Sequence, residues 1–185
     1  LTETYVGNWL EKTGKRKDII LATKVTGCLK NNGGVAHVRN GEWITSSGIL
    51  TALEGSLSRL KTDYIDLYQL HWPQRAVPIW GKVNFDEFMR EDKSEVEENI
   101  FQVLQTLEKL RKEGKIRHIG LSNETPWGAM KFLEIAKKNN FPEIQTIQNA
   151  YNLIRREYDT ALAEFSNYEG VWLLAYSPLA GGILT

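Results

Sequence analysis

The sequence has 185 residues, 23 basic and 23 acidic side chains, and a formal net charge of zero, which argues against a nucleic-acid-binding protein with a basic excess or patch. The hydrophobic fraction of 42% and the charged fraction of 25% exclude the disordered and collagen-like classes, and no apolar run approaches the ~18–20 residues of a membrane span. The single cysteine permits no internal disulfide, which is typical of a reducing compartment, so we expect a cytoplasmic protein.

Apolar residues at helical spacing alternate along the chain with short apolar runs that are typical of buried strands. In chain order we predict a helix over 4–12, a strand over 18–25, a helix over 46–60, a strand over 64–71, a helix over 95–113, a strand over 116–121, a helix over 126–138, a strand over 144–148, a helix over 157–167 and a strand over 171–176. The two long segments between them, 27–42 and 72–92, contain turn-forming residues and are predicted loops.

Residues with capping preferences mark where several of these helices begin or end. Gly14 offers a stop for the first helix. Thr125 followed by Pro126 has the form of an N-cap with proline in the first helical position. Ser94 and Glu97 have the spacing of a capping box, which predicts that Ser94 caps the helix over 95–113.

Strict alternation of helices with unbroken apolar strands predicts a parallel sheet covered by helices. Two architectures fit this pattern: an open doubly wound sheet and a (β/α)8 barrel. An open dinucleotide-binding sheet carries G-x-G-x-x-G where a strand turns into a helix, and neither Gly33–Gly34 nor Gly181–Gly182 has that spacing. The missing motif makes the open sheet the less favoured architecture, but it does not decide between the two.

Each of the five predicted strands ends in polar or titratable residues. In parallel β/α proteins the carboxyl ends of the strands meet at one rim, where the functional site lies. The residues at these ends are Lys24, His71, Ser122 with Asn123, Gln148 with Asn149, and Tyr176 with Ser177. Five such ends at one rim favour a binding or catalytic site over ordinary solvation.

Lys24 and His71 are the titratable groups among these ends. An ammonium at the end of an apolar strand has a lowered pKa, or lowers the pKa of a neighbouring acid, although Lys24 can also extend to solvent from a strand end. His71 can hydrogen-bond a substrate oxygen or transfer a proton, or be a core histidine satisfied by backbone. Asp66 lies on the opposite face of the same strand, and we interpret it as structural, bound to a helix end or a basic side chain.

Ser122, Asn123 and Gln148 bring hydroxyl and amide groups to adjacent strand ends. Such groups match a carboxamide, which both donates and accepts hydrogen bonds, but helix capping and loop hydrogen bonds also explain Ser and Asn. Tyr176 offers a flat face for stacking or fills the mouth of the fold. The three histidines lack the i, i+4 spacing of a helical metal site, and there is one cysteine, so we expect no metal.

Three segments closely resemble the aldo-keto reductase family, in the same order along the chain. They are 64–73 (YIDLYQLHWP), 114–123 (GKIRHIGLSN) and 175–179 (AYSPL). Residues 21–25 resemble the lysine strand of that family, and residues 148–153 are most similar to its bacterial Tas-like branch. The resemblance covers essentially the whole chain and implies a (β/α)8 barrel that binds NADP(H) without a Rossmann motif.

The resemblance implies hydride transfer from nicotinamide to a small aldehyde or ketone. In the family a tyrosine protonates the forming alkoxide, a lysine paired to an aspartate lowers the pKa of that tyrosine, and a histidine orients the carbonyl. Lys24 takes the lysine role, His71 the histidine role, and Trp72 walls the substrate pocket. The implied cofactor-binding residues are Ser122, Asn123 and Gln148 for the carboxamide, Tyr176 for stacking, and Ser177 and Leu179 along the pyrophosphate.

The aspartate and tyrosine of the family lie on and just after its second barrel strand. No tyrosine of this sequence occupies that place, since Tyr5 falls within the first predicted helix. We therefore expect residues 1–185 to be a single partial barrel domain, truncated at both ends, with about strands three to seven of eight. A non-catalytic cofactor-binding regulatory subunit that resembles potassium-channel β subunits is the alternative to a reductase.

Overall fold

The computed structural model describes residues 1–27, 44–78 and 84–185. Its helices are α1 (Thr2–Thr13), α2 (Ser46–Leu60), α3 (Lys93–Lys112), α4 (Pro126–Asn139), α5 (Glu157–Ala161) and α6 (Ala163–Glu169). Its strands are β1 (Ala22–Val25), β2 (Ile65–Leu70), β3 (Ile116–Ser122), β4 (Ile144–Gln148) and β5 (Trp172–Leu173). Short 3₁₀ turns lie at Lys15–Asp18, Glu87–Met89 and Ala180–Gly182. The predicted alternation of helices and strands is confirmed.

The five strands form one parallel sheet whose spatial order is their order along the chain, β1-β2-β3-β4-β5. A doubly wound sheet reverses its strand order at a switch point, whereas each strand of a (β/α)8 barrel lies beside the strand before it. The sequential order therefore decides for the barrel arrangement. Right-handed crossovers place the helices on one face of the sheet, and α1, α2, α3 and α4 contact one another in sequence.

Parallel pairing aligns a layer of polar residues just below the carboxyl ends of the strands. Lys24 is paired with Gln69, Gln69 with Gly120, and Gly120 with Thr146. A Cβ atom at Gly120 would collide with Thr146 Oγ1 and would lie 3.3 Å from Gln69 Cγ. A side chain larger than hydrogen at this position would therefore force its two neighbours apart. Glycine allows the polar residues of this layer to pack closely.

The opposite face of the sheet carries the hydrophobic core. The leucines of α2 repeat at helical spacing and are buried at Leu53, Leu57 and Leu60, whereas Leu50 is only partly buried. Residues of α3 and α4 complete the same layer between helices and sheet; the fully buried ones include Leu104, Leu107, Leu110, Ala129 and Leu133. This packing holds the strand ends in place from behind.

Two of the predicted helix signals are confirmed and one is wrong. Gly14 follows α1 with a φ of 66°, and Thr125 Oγ1 accepts a hydrogen bond from Gly128 N at 3.4 Å where α4 begins. The predicted capping box is wrong, because the cap of α3 is Asp92, whose carboxylate accepts from Ser94 N at 2.8 Å. A carboxylate satisfies the free N–H groups of the first turn and also opposes the positive end of the helix dipole.

The first predicted strand is shorter than its apolar run. Strand pairing begins at Ala22, and Lys15–Asp18 is a 3₁₀ turn. The N–H of Leu21 donates to the Asp66 carboxylate at 3.0 Å. Leu21 O accepts from Asp66 N at 3.0 Å and from Leu67 N at 3.1 Å, so the backbone of Leu21 contacts β2 while its own N–H is bound to a side chain.

The last predicted helix and strand also differ from expectation. The helix predicted over 157–167 is interrupted at Leu162, where φ is −121°, and this residue lies in the core at 3% exposure. The strand predicted over 171–176 pairs at Trp172–Leu173, followed by an isolated bridge between Ala150 and Tyr176. Among the described residues β5 has a strand neighbour on one side only, so fewer hydrogen bonds hold it extended.

Two predictions fall partly on residues that are not described. The predicted loop over 27–42, with Cys28 and His37, lies outside the described residues except for Gly27, and so do residues 79–83 of the loop over 72–92. The described part of the second loop contains the turn Glu87–Met89. Of the helices in the described part of the chain, none is long and apolar enough to cross a membrane.

Candidate functional site

Lys24 and His71 lie at the carboxyl ends of two paired strands. His71 directly follows β2, and its backbone N–H donates to Val25 O of β1 at 3.0 Å. Burial lowers the pKa of Lys24, and burial together with the nearby charge of Lys24 lowers the pKa of His71. Both basic groups are thus pushed toward their neutral forms, which is the situation expected of groups that handle protons or bind an oxygen atom.

The imidazole of His71 is held on two sides. Its Nδ1 lies 3.3 Å from Thr26 Oγ1, and its ring centroid lies 4.4 Å from that of Trp72. Trp72 itself is buried, at 8% exposure. The Thr26 hydroxyl can donate to Nδ1, which leaves the ring proton on Nε2, the nitrogen free to donate to a bound oxygen.

Ser122, Asn123 and Gln148 meet where β3 and β4 end. The backbone oxygen of Gln148 accepts hydrogen bonds from Ser122 Oγ at 2.8 Å and from Asn123 N at 3.0 Å. The Ser122 proton is therefore used within the protein. The side-chain amide of Gln148, in contrast, has no hydrogen-bond partner among the described residues, and it remains able to donate and to accept.

The Asn123 side chain links three strand ends. Its Nδ2 donates to His71 O at 3.0 Å and to Ser122 Oγ at 3.2 Å, and its Oδ1 accepts from the Tyr176 hydroxyl at 2.7 Å. Asn123 has a left-handed φ of 54°, which asparagine tolerates better than most residues. Loop hydrogen bonding, one of the two roles considered for this residue, is thus part of what it does.

Tyr176, Ser177 and Leu179 follow β5 on the same rim. Tyr176 N donates to Asn149 O at 3.1 Å, and Tyr176 O accepts from Tyr151 N at 3.3 Å, so its backbone is fixed to the segment after β4. Its ring is only partly buried. Ser177 and Leu179 are exposed, Leu179 at 53%, and neither contacts Lys24 or His71 through a hydrogen bond.

Sequence reasoning missed an ion pair beside this cluster. Arg75 and Glu124 form two parallel hydrogen bonds, Nη1 to Oε2 at 3.1 Å and Nη2 to Oε1 at 2.5 Å. Both residues are buried, with 9% and 4% exposure. The available signal was their position, since Arg75 lies in the segment after His71 and Glu124 directly follows Asn123.

A cleft of about 310 Å³ opens beside Asn123 and Tyr176, between the segments that follow β3 and β4. Its other lining residues include Pro126, Asn149, Arg155 and Tyr158. Within the described ranges there is no group of three or more His, Cys, Asp or Glu side chains that could hold a metal ion.

The rim therefore combines a lysine and a histidine of lowered pKa with a cluster of amide groups and an aromatic ring. It lies at the carboxyl ends of sequentially ordered parallel strands, which is where β/α-barrel enzymes place their active sites. Such a rim can bind the oxygen of a small substrate at the imidazole and a planar amide group at the neighbouring strand ends.

Comparison with known proteins agrees with this class. The sequence matches the Aldo/keto reductase family over residues 1–185. The chain belongs to this family of (β/α)8-barrel oxidoreductases, and the predicted fold class is thereby confirmed.

Three relatives illustrate the extent of the match. The chain is 46% identical over 185 residues to Protein tas of Escherichia coli (strain K12), with 100% of this chain and 52% of that protein covered. It is 41% identical over 174 residues to an aldo-keto reductase of Babesia bovis, with 90% and 60% covered. It is 34% identical over 184 residues to aldo-keto reductase YhdN of Bacillus subtilis (strain 168), with 100% and 46% covered. The chain spans about half the length of the curated relatives it matches.

Proposed function

We propose that the protein containing this chain is an NADP(H)-dependent oxidoreductase that reduces aldehydes or ketones to alcohols by hydride transfer. The observation that carries the proposal is the meeting of Lys24 and His71 with the amide cluster at one barrel rim. A small carbonyl compound suits this rim because its single oxygen atom can accept the hydrogen bond that His71 offers. Family membership supports the same chemistry, and the single cysteine supports a cytoplasmic location.

The rim residues fit a nicotinamide cofactor, which supplies the hydride when bound. The free amide of Gln148 can pair with a carboxamide, Tyr176 presents a partly exposed ring for stacking, and the exposed segment from Ser177 to Leu179 leaves polar groups accessible to a pyrophosphate. Ser122 is restricted to accepting, because its own proton is donated to Gln148 O. Asn123, which its own hydrogen bonds hold in place, would complete the cofactor-binding residues.

Lys24 and His71 would act on the substrate oxygen. The lowered pKa keeps the His71 imidazole neutral near pH 7, so it can donate one hydrogen bond to a carbonyl oxygen and orient it. The Lys24 ammonium would favour the ionised form of a neighbouring tyrosine and lower its pKa. We place that tyrosine and its aspartate outside residues 1–185, on the second barrel strand, with this chain supplying about strands three to seven. Trp72 would wall the pocket.

Replacing Lys24 by methionine in the full-length protein tests the proposal. The substitution should lower carbonyl-dependent oxidation of NADPH by about 10²- to 10⁴-fold, the range of general acid–base contributions. The matched control is Lys17→Met, which removes an exposed lysine from the turn before the amino end of β1 and should leave the rate unchanged. Unchanged turnover in Lys24→Met contradicts the role of Lys24. Cofactor binding without turnover of any aldehyde by the unmodified protein would favour the regulatory-subunit alternative.

A further inference from the structure

The buried ion pair of Arg75 and Glu124 joins the segment after β2 to the segment after β3. Besides its two bonds to the Glu124 carboxylate, Arg75 Nη2 donates to Thr125 Oγ1 at 3.0 Å. Its guanidinium also lies over the ring of Trp127, 4.9 Å from the centroid. One arginine therefore holds both the end of β3 and the first turn of α4.

The first turn of α4 packs closely against the pair. A Cβ atom at Gly128 would collide with Arg75 Nη2 and with Glu124 Oε1. Glu124 Oε1 also accepts from Thr125 N at 2.7 Å. The pair is thus closed in by the helix that it supports.

Stability alone does not account for such a pair. Two buried charges lose their hydration, and apolar residues of the same volume are often at least as stable in their place. What a bidentate arginine–carboxylate pair does provide is a fixed distance and a fixed orientation between the elements that carry it. Its effect is therefore to be sought in the placement of the neighbouring residues.

The residue that this placement controls is Asn123. It immediately precedes Glu124 and donates to His71 O at 3.0 Å, so the same two segments are connected twice. Glu124 O accepts from Asn149 Nδ2 at 3.0 Å, which ties the pair to the segment after β4 as well. Release of Arg75 would leave the hydrogen bond from Asn123 to His71 O as the remaining one of these two connections between the segments after β2 and β3.

We propose that Arg75 and Glu124 are positioning residues that act through Asn123 to fix the nicotinamide cofactor. This inference rests on the proposed function, because it takes the rim to be the cofactor site. Neither residue touches the cofactor in this scheme. Their contribution is to keep Asn123 Oδ1, which can accept a second hydrogen bond besides that of Tyr176, where the carboxamide needs it.

The experiment measures the Kd of NADPH, by energy transfer from tryptophan to the nicotinamide, in variants of the full-length protein. The paired change Arg75→Met with Glu124→Gln removes both charges together, so no unpaired charge is left buried. Asn123→Gly removes the side chain and keeps the left-handed backbone accessible. We expect each of these to weaken binding about tenfold, and the triple variant to bind no more weakly than Asn123→Gly, because residues that act as a unit are not additive.

The control is the pair of Arg111 and Glu108 on α3, which also forms two hydrogen bonds, from Nε at 2.8 Å and from Nη2 at 3.2 Å, but is more exposed and lies away from the rim. Arg111→Met with Glu108→Gln should leave the Kd of NADPH unchanged. An equal weakening of NADPH binding in this control would show that the rim pair contributes only general stability, and it would overturn the inference. An additive, roughly hundredfold loss in the triple variant would overturn the action through Asn123.

Two further outcomes separate this inference from the proposed function. Unchanged NADPH binding in the rim-pair variant overturns the inference while the proposed function stands. Failure of the unmodified protein to bind any nicotinamide cofactor overturns the proposed function and the inference with it.

Should circular dichroism show that the variant with the neutral pair does not fold, Arg75→Lys replaces it in the same mutant cycle, because lysine keeps the charge but cannot form the two parallel bonds. An additive result with Asn123→Gly then overturns the inference, and a non-additive one supports it.

Discussion

The amino and carboxyl ends of the sheet differ in how the charges of their buried residues are compensated. At the amino ends, Asp66 is saturated: Arg16 and Arg117 each lie 2.8 Å from its carboxylate, and the N–H of Leu21 donates to it. Both guanidinium groups also lie over the ring of Tyr64, at 3.8 and 4.1 Å from its centroid. The predicted pairing of Asp66 with a basic side chain is confirmed.

At the carboxyl ends Arg75 and Glu124 compensate each other, whereas Lys24 and His71 have no carboxylate partner among the described residues. Burial alone lowers the pKa of Lys24, and no carboxylate of the described residues offsets it. Burial tends to raise the pKa of Asp66 at the other end, but the Leu21 N–H and Arg16 outweigh it, and its pKa is lowered. The saturated carboxylate of Asp66 therefore lies at the amino end, and the basic groups available to a ligand lie at the carboxyl end, where β/α-barrel enzymes have their active sites.

The largest expected effect tests the amino end. Asp66→Ala in the full-length protein should lower the free energy of unfolding by about 3 kcal/mol, because it leaves the guanidinium of Arg16 buried without its partner. Urea unfolding measures the loss, with the exposed Asp63→Ala as control. The kcat of the folded fraction should stay unchanged. A large fall in kcat would place Asp66 in the site and break the comparison.

The corresponding experiment at the carboxyl end replaces His71. His71→Gln should lower kcat about 10²-fold, because the neutral imidazole no longer orients the carbonyl oxygen. The free energy of unfolding should change by less than about 1 kcal/mol, as for most substitutions outside the core. His118→Gln, an exposed histidine on β3, serves as control. Loss of stability without loss of kcat would make His71 a structural residue.

A smaller effect concerns the amide cluster. Tyr176→Phe keeps the ring and removes the 2.7 Å hydrogen bond to Asn123 Oδ1. The loss of one such bond corresponds to about 1 kcal/mol, so the Kd of NADPH should rise about fivefold. Tyr168→Phe, at a residue that is 83% exposed, is the control. Equal binding in Tyr176→Phe would show that the ring alone matters.

The smallest expected effect is a pH dependence. Burial and the charge of Lys24 lower the pKa of His71 in the folded state below its unfolded value, so the unfolded chain binds the proton first as pH falls. The stability that neutral His71 contributes is therefore present above about pH 6.5 and is lost below it. Urea unfolding at several pH values should show the difference between the unmodified protein and His71→Gln shrinking as the pH falls below 6.5. A constant difference would contradict the lowered pKa.

Much of the fold could be predicted because its signals are local. The stripe of Leu53, Leu57 and Leu60 repeats within a few turns of one helix, and Gly14 and Thr125 act on the turn beside them. Of the predictions that differ from the structure, the capping box of α3 failed locally, because Asp92 caps the helix two residues before Ser94. The first strand, in contrast, involves a partner distant in the sequence. Strand pairing begins at Ala22, and the N–H of the preceding Leu21 donates to the carboxylate of Asp66, 45 residues away.

The sequence by itself determined the alternation of helices and strands and the polar residues that end each strand, because hydrophobic periodicity and composition are written within a dozen neighbouring residues. Only the tertiary structure decided the sequential strand order and the meeting of Asn123 with His71 and Tyr176. It also decided the pairing of Arg75 with Glu124, which are 49 residues apart. Parallel strands join distant segments, so what meets at their ends depends on the whole sheet.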